Sequence, residues 1–197
     1  MAKGRKKETK LNITSNDKAF FQVLAKSGRT LPQLAEKYFN IKSSRLNRMV
    51  KQGWLRKEEI VIDKKATYCL RLTDKSQKWI KNNIETVDRL YKPTMQGTSH
   101  DIELFKQLAR LPRCQQDVAE TETDITYKYG KGKLLSPPDI FVPKVSLIEN
   151  GQRIDYPAMA IEITTKAYRE HHIEAKKGYC KSRLNIQEEA IQFVRVA

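Results

Sequence analysis

Residues 43–72 read SSRLNRMVKQGWLRKEEIVIDKKATYCLRL. Leu46, Met49 and Val50 recur at i, i+3 and i+4, so a helix through this stretch has one apolar face. Arg45, Arg48 and Lys51 project from its other faces. Gly53 stands where a helix needs a residue able to turn left-handed at its C-terminus. The period then changes. Ile60-Val61-Ile62 and Tyr68-Cys69-Leu70 flank Asp63-Lys64-Lys65, a composition that suits two strands joined at a basic hairpin tip.

Upstream, Ser15 or Asn16 caps a helix running to Lys26, with Phe20, Phe21, Val23 and Leu24 as its apolar surface and Ser27-Gly28 as its stop. A second short helix follows Thr30 or Leu31, with Pro32 in its first turn, where a missing N–H costs nothing. Asn40-Ile41-Lys42 is the turn, and Ser43 or Ser44 caps the third helix. Three short helices and a basic hairpin outline a winged helix-turn-helix, a fold that places its last helix in the major groove of duplex DNA. On that reading Arg45 and Arg48 face base edges, Asn47 pairs with an adenine, and Ser44 shares their surface. Lys42, Lys51, Lys64 and Lys65 contact phosphates and set register. Trp54 belongs to the core where hairpin and helices meet. Residues 1–12 form a basic arm without periodicity, expected to be disordered and either solvated or touching the DNA. Downstream, Thr73 caps a helix carrying Trp79, Ile80, Ile84, Val87 and Leu90, which closes the domain or pairs with its copy in a homodimer. The DNA-binding domain is therefore expected over residues 13–92. Tyr91 to Thr98, with Pro and Gly and no periodicity, is the boundary before a second domain at 99–197.

Charge divides the same way. Residues 1–98 hold 23 of the 38 Lys and Arg against 9 Asp and Glu, whereas residues 99–197 are almost balanced, with 15 against 14. A merely solubilising charge would be spread evenly, so the front half is the candidate for phosphate neutralisation. No long uncharged apolar run or secretory leader is present, which argues against a membrane protein. The three cysteines, Cys69, Cys114 and Cys180, are far apart, as expected of free thiols in a reducing cytoplasm.

The second half opens on a helix, SHDIELFKQLARL, with Ile102, Phe105, Leu108, Ala109 and Leu111 on one face. Residues 117–127 alternate and read as a strand. PPDIFV is a short buried strand, and Val145–Ile148 pairs with Tyr156–Ile163 across the turn Glu149-Asn150-Gly151-Gln152. Ala160-Ile161-Glu162-Ile163 reads as a central strand, with a helix over 168–183 and a terminal strand over 191–196 after it. The fold class is thus α+β, with a mixed central sheet in the second domain. Asp139 and Glu162 sit at the ends of neighbouring strands, where two carboxylates could share a Mg²⁺ ion and activate water against a phosphodiester. His100, His171 and His172 have no ligand spacing and read as surface or DNA-facing residues. Lys176 and Tyr179 read as a solvated or phosphate-facing cation and a packing aromatic.

Asp139 in PPDIFV followed by IEITTK resembles the PD-(D/E)XK nuclease-like fold, in which an Asp and a Glu-x-Lys share a metal site. HDIELFKQLARL, ETETDITY, PPDIFV, IEITTK and KKGY, in that order, are similar to the replication-relaxation proteins of plasmids and other mobile elements. The resemblance implies a winged helix fused to a PD-(D/E)XK-like domain. It also implies an accessory role in the relaxosome of conjugative mobilisation or in plasmid replication, with a relaxase or replication protein as partner. The Lys of Glu-x-Lys falls at Thr164, which cannot stabilise an oxyanion as an ammonium would. Lys166 or Lys176 would have to supply that charge. The enzymatic alternative is a Mg²⁺-dependent endonuclease using Asp139, Glu162 and Lys166; the other alternative is a transcriptional repressor whose second domain dimerises or binds an effector.

Overall fold

The computed structural model describes residues 11–62, 64–93 and 97–196. The chain is a mixed α+β protein. Three helices open it: α1 (Ser15–Ser27), α2 (Pro32–Phe39) and α3 (Ser43–Lys51). Thr14 caps α1 through a capping box with Asp17, one residue before the cap expected from sequence. Pro32 lies in the first turn of α2, and Asn40 ends that helix in the left-handed region. An antiparallel hairpin follows, β1 (Leu55–Ile62) against β2 (Lys65–Leu72), with Ile62 opposite Lys65 across the tip. Asp63, the other tip residue expected from sequence, lies outside the described residues. Helix α4 (Asp74–Asn83) starts at the predicted Thr73 cap but ends well before Leu90. The Asn83 side chain donates to the Trp79 carbonyl at 2.8 Å, a local bond that competes with helix continuation. Ile84 and Val87 are buried all the same, from irregular backbone.

The second half contains α5 (Thr98–Arg110), α6 (Arg113–Val118), the two-residue strand β3 (Glu120–Thr121) and α7 (Glu122–Tyr129). The alternating stretch 117–127 is therefore helical over most of its length. Thr121 and Asp124 form a capping box whose carboxylate receives the Thr121 amide and hydroxyl at 3.1 and 2.9 Å, and that cap outweighs a weak period of two. Next come β4 (Ile140–Val142), β5 (Val145–Glu149), β6 (Gln152–Tyr156), β7 (Met159–Thr164), α8 (Glu170–Arg183) and β8 (Ile191–Arg195). The main sheet has the order β3-β4-β7-β8, antiparallel except for the β7–β8 pair, so β7 is central as its apolar run predicts. The hairpin β5–β6 turns at Asn150-Gly151, both at positive φ, but β6 stops at Tyr156 and β7 belongs to the other sheet.

One core joins the two halves. Helix α1 is buried on nearly every side, from Asp17 through Ser27 apart from Lys18. Its Phe20 ring meets Phe39 of α2 at 5.9 Å and Phe105 of α5 at 6.0 Å, edge to face. Trp54 stacks on Phe21, with centroids 5.9 Å apart, and is core as expected. The same apolar cluster continues through Leu104 and Leu108 to Ile140, Ile161 and Ile163 of the sheet. Polar side chains of α1 serve the junction as well. Lys26 Nζ is buried against the carbonyls of Ala119 at 2.8 Å and Gln116 at 3.1 Å, at the C-terminal end of α6. Burial, opposed by the surrounding carboxylates, draws the Lys26 ammonium down to about 8. Gly28, at φ +81°, packs where a Cβ would lie 2.9 Å from the Tyr91 ring, so the expected boundary segment folds back onto the first helix. Among the described residues no helix is long and apolar enough to cross a membrane.

Candidate functional site

Antiparallel pairing of β4 with β7 sets Ile140 opposite Ile161 and so brings Asp139 and Glu162 side by side. The Asp139 amide donates to Glu162 Oε2 at 3.1 Å, and the Ile163 amide donates to Asp139 Oδ2 at 2.7 Å. Lys176 reaches across from α8 to put Nζ 3.0 Å from Glu162 Oε1 and 2.6 Å from the Pro137 carbonyl. The Tyr168 hydroxyl donates to the same Oε1. On the other side, His100 Nε2 of α5 lies 3.0 Å from Asp139 Oδ1. A cleft of about 650 Å³ opens over these groups, lined also by Glu122, His171 and His172. Burial, with the Asp139 charge beside it, lifts the fully buried Glu162 carboxyl to about 7, against the pull of Lys176 and Tyr168. Burial disfavours charge on His100, but the carboxylates of Asp101 and Asp139 overcome it and raise the imidazole to about 10, so it is protonated at neutral pH.

From His100 a line of charges runs into the front half. His100 Nδ1 is 3.7 Å from Asp101 Oδ1, and the Tyr91 hydroxyl donates to that oxygen at 2.8 Å. Asp101 Oδ2 pairs with the Arg29 guanidinium at 2.8 Å. Arg29 also grips Glu58 of β1 through Nε at 3.0 Å and a terminal nitrogen at 2.8 Å, and Arg71 of β2 closes on Glu58 from its other oxygen. Arg29 is 1% exposed and Asp101 is 0% exposed, so this pair is fully desolvated. Positive and negative groups alternate from the basic hairpin to the Asp139–Glu162 pair.

The exposed face of α3 carries Ser44, Asn47, Arg48 and Lys51, spaced i, i+3, i+4 and i+7, while Leu46 and Met49 are buried beneath. Lys64 and Lys65 are exposed at the hairpin tip, with Lys64 at φ +63°. Lys42 is exposed beside Glu36, Nζ to Oε1 2.8 Å. Arg45 departs from the expected role. Its guanidinium closes on the buried Asp17 carboxylate through Nε at 2.8 Å and a terminal nitrogen, and donates to the Asn12 carbonyl at 2.7 Å. A fork committed to a helix cap is not available to a base edge. The arm expected over residues 1–12 lies outside the described residues up to position 10. Its end is docked: Leu11 is 4% exposed and its amide donates to Gln52 Oε1 at 2.9 Å.

No protein-family model matches the chain, and no curated protein is significantly similar to it.

Of the residues expected to form the nuclease-like site, Asp139 and Glu162 come together and Lys166 does not join them. Lys166 is exposed in the turn after β7. The buried cation on Glu162 is Lys176, the other lysine offered for that charge, which is therefore not the solvated side chain of the alternative reading. His100 is the residue that sequence reading missed; its only local signal is its place in the first turn of α5, 39 residues from Asp139. His171 and His172 are exposed as expected, and Tyr179 is fully buried with its hydroxyl on the Gly130 carbonyl at 2.6 Å. The residues present do not fit a Mg²⁺ ion. Each of the four carboxylate oxygens of Asp139 and Glu162 already faces an N–H, O–H or charged nitrogen of the protein, and a cation sits on either side. Among the described residues no group of three or more His, Cys, Asp and Glu is arranged to hold a metal. An ion bound here would have to compete with those hydrogen bonds and sit between two protein cations, which opposes an oxygen-ligand cage.

Proposed function

We propose that the protein binds double-stranded DNA through a winged helix-turn-helix, with α3 in the major groove and the β1–β2 hairpin on the backbone. The observation that carries this reading is the single polar and cationic face of α3, Ser44, Asn47, Arg48 and Lys51, beside a hairpin whose tip exposes Lys64 and Lys65. Two neutral hydrogen-bonding side chains flanked by cations can both read base edges and neutralise phosphates. The concentration of basic residues in the front half supports the same partner. The second half reads as a PD-(D/E)XK-like domain whose acids are held by the protein's own cations, a platform rather than a nuclease. On the motif resemblance the biological setting is conjugative mobilisation or replication of a mobile element.

Gel-shift titration tests this. Arg48→Ala is expected to weaken binding to the preferred site roughly tenfold and to relax its preference over other sequences. Lys64→Ala is expected to weaken all duplexes alike and to make the salt dependence shallower by about one unit in log–log slope. If neither substitution changes the titration, α3 is not the reading helix.

A further inference from the structure

We propose that the duplex held by α3 continues along α4, where Lys75, Lys78 and Lys81 form a second track for the phosphodiester backbone that ends in a cleft bearing Arg89 and Lys92. This rests on the DNA-binding reading above.

Three exposed lysines follow one another at i, i+3 and i+6 on α4, and the opposite face buries Ser76 and Ile80. The track is continuous with α3. Lys75 Nζ donates at 2.7 Å to the carbonyl of Gln52, the residue that ends α3, and lies 4.7 Å from the centre of the Trp54 ring. At its far end Lys81 lines a cleft of about 790 Å³ together with Arg71, Arg89 and Lys92. Among the described residues no carboxylate is within ion-pair distance of Lys75, Lys78, Lys81, Arg89 or Lys92. The acids of the cleft do not cancel these charges. Asp88 is 3.7 Å from Lys128, Glu122 is a single acid, and Arg71 is held by Glu58. The Arg89 guanidinium lies 3.7 Å from the centre of the exposed Tyr127 ring, a cation–π contact that holds it at the cleft without neutralising its charge.

Unopposed cations in a row beside a polyanion site have one economical partner, which is the next stretch of the same backbone. From Lys75 to Lys81 the helix rises about 9 Å, the rise of roughly three base pairs, before the track reaches the cleft with Arg89 and Lys92. Nothing in this geometry reads sequence; its contribution is affinity and length dependence.

The test is fluorescence anisotropy with mixed-sequence duplexes of about 12 and about 30 base pairs over a range of salt. The triple variant Lys78→Ala, Lys81→Ala, Lys92→Ala changes exposed side chains only. It is expected to bind the long duplex at least about tenfold more weakly at physiological salt, with a slope shallower by roughly two to three units, and the short duplex within about twofold of the parent. A control removing the same charge elsewhere, Lys133→Ala, Lys144→Ala, Lys181→Ala, is expected to leave both affinities near the parent's. Equal losses in the two triple variants, or equal losses on both duplex lengths, would overturn the track while leaving the groove assignment standing. A parent protein that binds neither duplex would remove both.

Discussion

Replacing Arg29 with methionine is expected to cost about 3–5 kcal/mol of stability, the range for breaking one side of a buried ion pair. Arg29 lies between two acids and is 1% exposed. Its removal takes from the fully buried Asp101 its guanidinium partner among the described residues, leaving the contacts to Tyr91 and His100. The effect is larger than the strength of the lost bonds because the stranded carboxylate cannot regain water. For a chain of this size the thermal midpoint should fall by roughly 10 °C. Arg29→Lys should rescue little of this. One ammonium cannot hold Glu58 through two nitrogens and Asp101 through a third, as the planar fork does. In the double variant Arg29→Met, Asp101→Leu the stranded charge is gone, so its loss should be smaller than that of Arg29→Met alone. A thermal or urea melt in which Arg29→Met costs under about 1 kcal/mol would mean that the hairpin and α5 are held by the apolar core alone.

The second large effect is a pH dependence with a defined sign. The folded state raises His100 from 6.5 to about 10, so between these values the native chain keeps a proton that the unfolded chain has lost. Stability from this group is complete below pH 6.5 and falls as pH rises toward 10. Glu162, raised to about 7, acts in the same direction below neutrality, since its folded form also holds the extra proton. Lys26 acts oppositely above its lowered value of about 8, because there the unfolded chain binds the extra proton. The His100 contribution therefore dominates between about pH 7 and 8, where the opposed effects of Glu162 and Lys26 largely offset each other, at about 1.4 kcal/mol per pH unit. Over the window from 6.5 to 8 the protein is expected to lose about 2 kcal/mol, and His100→Gln should flatten that slope. Urea midpoints at several pH values would measure it. An unchanged slope in His100→Gln would show that the imidazole does not carry its charge between Asp101 and Asp139.

The parts of the fold that were legible are those where local chemistry and burial agree. Residues 43–72 change from a period of 3.6 to a period of two across one glycine, and α3, β1 and β2 form where that change places them. The central strand β7 is legible because its apolar run is buried on both faces. At 117–127 two signals compete. Alternation favoured a strand, while Thr121 and Asp124 at cap spacing favoured a helix, and the cap prevails because it satisfies backbone donors outright. The candidate site was half legible for a different reason. Asp139 is marked by its place just before the apolar strand β4, and Glu162 by being the one acid in the apolar run of β7, although Glu162 lies inside that strand and not at its exit as expected. Lys176 and His100 are brought to them by helix packing from elsewhere in the chain. Arg45 shows the converse. Its position on α3 suggests a base contact, and the acid that claims it, Asp17, is 28 residues earlier in another helix. A charge alternation in sequence does not reveal which cation is already spent on a buried partner.

The separation of a basic front half from a balanced back half acquires meaning only if the front half meets a polyanion. Duplex affinity measured against salt concentration tests that most directly. A chain with Arg48, Lys51, Lys64, Lys65 and the α4 lysines on the DNA should lose affinity steeply, with a log–log slope of roughly −5 or steeper and a loss of a thousandfold or so between about 50 and 200 mM. A flat titration, or no binding at low salt, would contradict the account.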